Sequence, residues 1–162
     1  MSPIRGSFTV SRGFIGHDDT EYKGIDTVPL DSSSWNVYAV ADGVVEEVRI
    51  GSYQGDKDAF NGAGNFVVIH HEQGPRNGRY GHTPPVVYTK YFHLSEVYVQ
   101  PGPVTAGQLI GRIGNTGNTR SENGGDGSHL HFQVHEESRY GPLKDPREYI
   151  YLGDGSACNW GN

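Results

Sequence analysis

Cysteine is almost missing from this chain: Cys158 is the only one, beside a single methionine, Met1. A lone thiol forbids an internal disulfide and excludes zinc–thiolate clusters, so any metal bound here is held by nitrogen and oxygen. Cys158 also lies late, in a polar stretch, which is a poor place for a nucleophile. Long apolar runs are absent as well. No stretch approaches the ~18 residues needed to span a bilayer, and residues 1–14 carry no continuous apolar segment of the secretory-signal kind. The expectation is a protein that leaves its host by another route, or a domain of a longer chain. Basic charge is scarce: 13 Lys and Arg face 19 Asp and Glu, for a formal charge of −6. That balance argues against nucleic acid and against an anionic membrane surface as partners.

Glycine is what the chain has in abundance, 24 residues together with nine prolines, while only 34% of residues are strongly hydrophobic. The combination favours many short strands joined by tight turns over a helical bundle. At 162 residues the chain suits one domain able to bury a sizeable core.

The most informative run is Gly127-Ser128-His129-Leu130-His131-Phe132-Gln133-Val134-His135. It alternates, with His129, His131, Gln133 and His135 on one side and Leu130, Phe132 and Val134 on the other. A period of two is that of a half-buried strand whose apolar side packs into a core. Imidazole is the commonest metal ligand and a natural base near neutral pH. Three of the chain's eight histidines fall in these seven residues, from His129 to His135, after a Gly-rich loop. A site is therefore the better reading than a solvated strand face.

Along the chain, residues 7–10 read as a short strand, followed by a polar loop over 13–20 that contains His17, Asp18 and Asp19. Asp26 sits at the mouth of the next strand. Residues 37–40 and 44–50 flank Asp42-Gly43, a hairpin signal. Residues 65–71 and 86–94 are strongly β-prone, 104–113 read as turn and strand, and Gly-rich loops fill 51–64, 72–85 and 115–128. The polar tail after Glu136 is expected to lie along the outside of the sheet. The result is a mainly β, antiparallel single domain over 1–162 with long Gly-rich loops.

Asp26, His93, His129 and His131 are the polar groups to bring together, each on or at the end of an expected strand. A hydrolytic zinc site needs about three His or carboxylate ligands and an open position for water. The metal lowers the pKa of that water from ~15.7 towards ~7. Nearby histidines then move protons or stabilise an oxyanion. With no Ser or Cys in a recognisable nucleophile elbow, metal-assisted hydrolysis is the simplest chemistry available.

Several stretches, in order, resemble the lysostaphin-type (LytM-like) zinc metallopeptidases, which cut peptide bonds in bacterial cell-wall peptidoglycan. They are Lys23-Gly24-Ile25-Asp26, Val37-Tyr38-Ala39-Val40-Ala41-Asp42-Gly43-Val44-Val45, Gly64-Asn65-Phe66-Val67-Val68-Ile69-His70-His71 and Tyr91-Phe92-His93-Leu94, followed by Val104-Thr105-Ala106-Gly107-Gln108-Leu109-Ile110-Gly111, Gly114-Asn115-Thr116-Gly117 and His129-Leu130-His131-Phe132. The resemblance covers about 22–136, the core of the domain, with 137–162 as a C-terminal tail, and implies a twisted, mostly antiparallel sheet whose concave face is the substrate groove, rimmed by the Gly-rich loops. It further implies one zinc per chain, with Asp26 and His131 as ligands. His129 would be a catalytic residue beside the water, and His93 its partner in positioning the water or stabilising the oxyanion. The implied substrate is peptidoglycan peptide. The setting is extracellular, at the cell wall, as a phage-borne lysin or tail-associated enzyme with virion partners, or as a domain of a longer secreted protein.

One position departs from the family pattern of His-x-x-x-Asp: four residues before Asp26 stands Tyr22. Three readings stay open. His17, nine residues before Asp26, swings in from its loop; Tyr22 ligates through its phenolate, whose ordinary pKa is ~10; or the chain is a degenerate, non-catalytic relative that binds cell wall or a partner, or serves a structural role in a larger assembly. Glu21 is a further candidate oxygen ligand, should Tyr22 not serve. His135 is expected on the groove wall or surface. One of His70 and His71 must point inward. His82 is expected in solvent. Tyr53, Tyr80, Tyr88 and Tyr91 are candidates for lining the groove.

Overall fold

A computed structural model of the chain describes residues 2–17, 22–72, 86–119, 125–150 and 152. Among these, ten strands form: β1 (Phe8–Arg12), β2 (Ile25–Pro29), β3 (Asn36–Tyr38), β4 (Gly43–Arg49), β5 (Asn65–His71), β6 (Val87–Val97), β7 (Gly102–Val104), β8 (Leu109–Ile113), β9 (Leu130–Glu136) and β10 (Leu143–Lys144). Helix is limited, among the described residues, to the 3-10 turns Ser32–Trp35 and Pro146–Glu148, and no helix is long and apolar enough to cross a membrane. Every strand pairing is antiparallel, in the order β1-β2-β9-β6-β5-β4-β7, with β10 also on β9 and β8 joining β3 to β6. This is the mainly β, antiparallel architecture expected.

The His-rich run lies near the middle of the sheet as β9, between β6 on one side and β2 and β10 on the other. Leu130, Phe132 and Val134 are fully buried, and they meet Tyr91 of β6 through an edge-to-face contact with Phe132 at 5.1 Å. Burying each such side chain stabilises the fold by roughly 1.5–3 kcal/mol. The opposite face of β9 is also covered, contrary to a half-buried strand. Gln133 and His135 are 1% and 5% exposed, and the 137–141 segment folds over them. His135 is consequently a structural residue, not a groove wall: Nδ1 donates to the Gly141 carbonyl at 2.8 Å and Nε2 lies 3.2 Å from the Gln133 amide.

Residues near both ends of the described chain enter the hydrophobic core. Ile4, Phe8 and Val10 are buried at one end, and Tyr149, Ile150 and Leu152 at the other. The polar tail expected outside instead turns inward at Pro146, where the Asp145 carboxylate caps the Arg147 N–H. The Tyr149 hydroxyl is bonded to the Glu136 carboxylate. Asp42-Gly43 likewise makes no hairpin. β3 pairs with β8, and β4 with β5 and β7, because Asp42 is used in tertiary contacts: its carboxylate accepts a hydrogen bond from Ala106 N–H and its carbonyl accepts one from His71 Nδ1.

His71 is the inward member of its pair. Its Nδ1 donates to the Asp42 carbonyl at 2.8 Å and its Nε2 meets the Thr89 hydroxyl, also at 2.8 Å. His70 stays at the surface, stacked on Tyr88 at 4.7 Å. Burial drives the His71 pKa down to about 4. The unfolded chain binds that proton at the ordinary ~6.5 and the folded chain does not. Stability is therefore full above about 6.5 and declines as pH falls towards 4, a loss of about 3 kcal/mol from this residue. Urea midpoints are expected to drop steadily from pH 7 to 4. In a His71→Asn variant, less stable at pH 7, the same interval should show a shallower drop.

Candidate active site

Asp26 on β2 and His131 on β9 are register partners across one antiparallel pair. A carboxylate from early in the chain and an imidazole from late in it therefore stand side by side, with His131 Nδ1 donating to Asp26 Oδ1 at 2.6 Å. Gly24 permits the approach, since a Cβ there would lie 2.3 Å from the Phe132 carbonyl. After β1 the chain bends back and brings in His17. Its Nδ1 donates to the Gly13 carbonyl at 2.9 Å, its Nε2 lies 3.3 Å from Asp26 Oδ2, and its ring is edge-on to His131 at 5.0 Å. One donor atom from each of His17, Asp26 and His131 falls within 4.8 Å of the others.

The electrostatics of this group favour a positive charge. Burial alone pushes the Asp26 carboxyl up, but the hydrogen bond from His131 and the neighbouring imidazoles outweigh it and hold it well below the usual carboxylate range. At His131 burial prevails over Asp26 and lowers the pKa; at His17 Asp26 prevails over burial and raises it. Among the described residues, Nε2 of neither His17 nor His131 has a hydrogen-bond partner, although that of His17 faces the Asp26 carboxylate at 3.3 Å. Because each ring's Nδ1 is committed to a neighbouring oxygen, these two nitrogens are the ones left to bind something else. Two orphaned imidazole nitrogens around an ionised carboxylate are costly on their own. They suit a divalent cation that takes three N and O ligands, as a catalytic zinc does.

His93 and His129 stand beside the group, their ring centroids 4.7 Å apart. His129 comes just before β9, held by a bridge to Gly114. Its Nδ1 donates to the Gly127 carbonyl at 2.8 Å, and its Nε2 is 3.8 Å from Asp26 Oδ1. His93 reaches the site by a backbone irregularity. Phe92 is the register partner of His131, so simple alternation would send His93 to the core. A left-handed φ of 65° at His93 turns its ring into the same cavity, where Nδ1 donates to the Thr116 carbonyl at 2.8 Å. Burial, then the charges of His129 and His131, hold its pKa down to about 3, so the ring is neutral with a bare Nε2.

Thr116 is placed by two glycines whose backbones cross. A Cβ on Gly64, at φ 64°, would lie 2.4 Å from the Thr116 carbonyl, and one on Gly117, at φ 76°, 2.3 Å from the Gly64 nitrogen. Gly64→Ala should lower the unfolding free energy by about 2 kcal/mol or more. The denaturant midpoint measures that loss, and the His93 imidazole NMR resonances should move with it.

The five residues line one cavity of about 680 Å³. Its rim includes the 61–63 and 125–128 segments, parts of two of the three loops expected there; residues 73–85 of the third, with His82 and Tyr80, lie outside the described residues, as do Asp18, Asp19 and Glu21. Tyr22 is on the wall, its hydroxyl donating to the Asn61 carbonyl at 3.1 Å and its ring edge-on to Phe92 at 6.3 Å. Tyr91 is in the core, Tyr88 is on His70 and Tyr53 is 68% exposed, so these three do not line the cavity. Sequence reasoning missed Phe92, stacked on His131 at 5.4 Å, and the Thr116 carbonyl. The first was signalled only by its place next to His93, and the second by the Gly114-Asn115-Thr116-Gly117 run.

A family model described as Peptidase family M23 matches residues 20–142. Among solved structures, a zinc-containing peptidase from Vibrio cholerae superposes with a TM-score of 0.59 at 25% identity, covering 91% of this chain and 39% of that one. Lysostaphin from Staphylococcus simulans gives 0.55 at 25% identity, covering 89% and 51%. The SpoIIQ–SpoIIIAH pore-forming complex gives 0.62 at 22% identity, covering 92% and 89%, a likeness of fold. The chain thus spans less than two thirds of the length of either peptidase.

Proposed function

The chain belongs to peptidase family M23, and on that footing we propose that it is a zinc-dependent endopeptidase acting on the peptide bonds of bacterial cell-wall peptidoglycan. The observation that carries this reading is the pair of buried Nε2 atoms of His17 and His131 that, among the described residues, make no hydrogen bond and converge with the Asp26 carboxylate. In this proposal His17, Asp26 and His131 hold the metal. His17 takes the place of the family's first histidine from a loop that precedes the matched residues, while the Tyr22 hydroxyl stays on the Asn61 carbonyl. Zinc held there would polarise the substrate carbonyl and bring the pKa of a water near ~7.

The chain's own residues supply the proton chemistry. His129 donates from Nδ1 to a carbonyl, so its Nε2 carries the lone pair and faces the reacting region. It accepts the water's proton there and returns it to the leaving amine. His93, neutral and bare at Nε2, is an acceptor that orients the water. Both rings are locked by carbonyls and need no reorganisation at the moment of reaction.

The test is incubation of the zinc-loaded protein with purified peptidoglycan. New amino groups without new reducing ends are expected, and intact wall after zinc loading would retire the proposal. The setting that goes with this substrate is the cell wall, reached on a virion or within a longer secreted protein. One observation favours a second reading, a non-catalytic module of the same fold: Tyr22 at the position of the family's first ligand. A chain that takes up no zinc would belong to that class.

A further inference from the structure

The aromatic rings beside the metal group form a rail that leads away from it. Phe92 of β6 stacks on His131 at 5.4 Å and 20°. Phe66 of β5 meets Phe92 edge-on at 5.7 Å, and Phe60 meets Phe66 edge-on at 6.0 Å. Exposure rises along the rail, from 6% at Phe92 through a half-buried Phe66 to 40% at Phe60. Arg49, the register partner of Phe66, is paired with Glu47. Phe60 is held at the end by strained backbone. It and Asn61 have φ of 50° and 57°, a left-handed pair of non-glycine residues of the kind that persists where the surroundings demand it, often at ligand clamps. A glycine at 60 would relieve the strain but leave Phe66 without its outer neighbour.

From this rail, and resting on the peptidase reading, we infer that Phe92, Phe66 and Phe60 form the floor of a subsite for peptide residues with apolar side chains, on one side of the bond to be cut. Ring-to-ring steps of 5.4–6.0 Å are each under two residues of extended chain at ~3.3 Å per residue. The residue flanking the bond then passes the buried Phe92, and the ring surface to be covered by those beyond it is that of the half-buried Phe66 and the exposed Phe60. A methyl or larger side chain removes ring surface from water, whereas glycine covers none. The site therefore selects for alanine- or leucine-bearing peptides over polyglycine, by about tenfold per well-placed side chain.

The experiment uses synthetic peptides identical except for Gly, Ala or Leu at each position flanking the bond. Affinity is measured with that bond N-methylated against cleavage, and kcat/KM with the bond intact. Wild-type protein should bind the Leu peptide about tenfold more tightly than the Gly peptide, on one side of the bond only. Phe60→Ala, in the loop and safe for folding, and Phe66→Leu should each bring that ratio down towards unity. Equal affinity for Gly and Leu peptides, a preference equal on both sides, or a ratio unmoved in both variants overturns the inference. A preserved affinity ratio with no cleavage upholds the subsite and retires the peptidase reading instead.

Discussion

His129→Ala should lower turnover on peptidoglycan by ~10²–10⁴-fold, the usual contribution of a positioned general base, while zinc remains bound at one per chain. The two effects separate because His129 Nε2 is 3.8 Å from the Asp26 carboxylate and lies outside the three-donor group. The ring also adds little to stability, since its hydrogen bond, among the described residues, is to Gly127, two residues away. Kinetics on cell wall combined with metal analysis of the same preparation gives the answer. Undiminished turnover in the zinc-loaded variant would remove His129 from the mechanism.

The second large effect is on metal content. His17→Ala is expected to reduce bound zinc from about one per chain to a trace. Affinity should fall by more than the 10–100-fold that follows loss of an outer-shell partner, because the proposed site would lose one of its three protein ligands. Tyr22→Phe removes only the hydroxyl that donates to Asn61 and should leave zinc in place. The opposite pattern, zinc kept without His17 and lost without the phenol, would transfer the third ligand to Tyr22. Both measurements are equilibrium dialysis and do not depend on the enzyme being assayed.

Much of the architecture was legible because alternation is a local property. The period of two over 129–135 put Leu130, Phe132 and Val134 on the core face, where they lie fully buried, and the Gly-rich loops marked the strand ends. Three expectations failed for reasons outside local pattern. His135 is buried because the 137–141 segment folds over its face. The tail enters the core at Pro146. Asp42-Gly43 joins strands with different neighbours because the Asp42 carboxylate and carbonyl are spent on Ala106 and His71. No composition or spacing carries these long-range choices.

The sequence by itself determined the chemistry on offer: nitrogen and oxygen donors only, a His-rich strand, a carboxylate at Asp26, and a tyrosine four residues before it. Tertiary structure decided which of these meet. Antiparallel register, linking residues 105 apart, set His131 beside Asp26, and the bend after β1 brought His17 to the same carboxylate. A left-handed φ at His93 turned against the alternation of its own strand. Side-chain pattern tells which way a residue points from its own strand. Pairing partners and backbone torsions, which depend on the whole fold, settle what it points at.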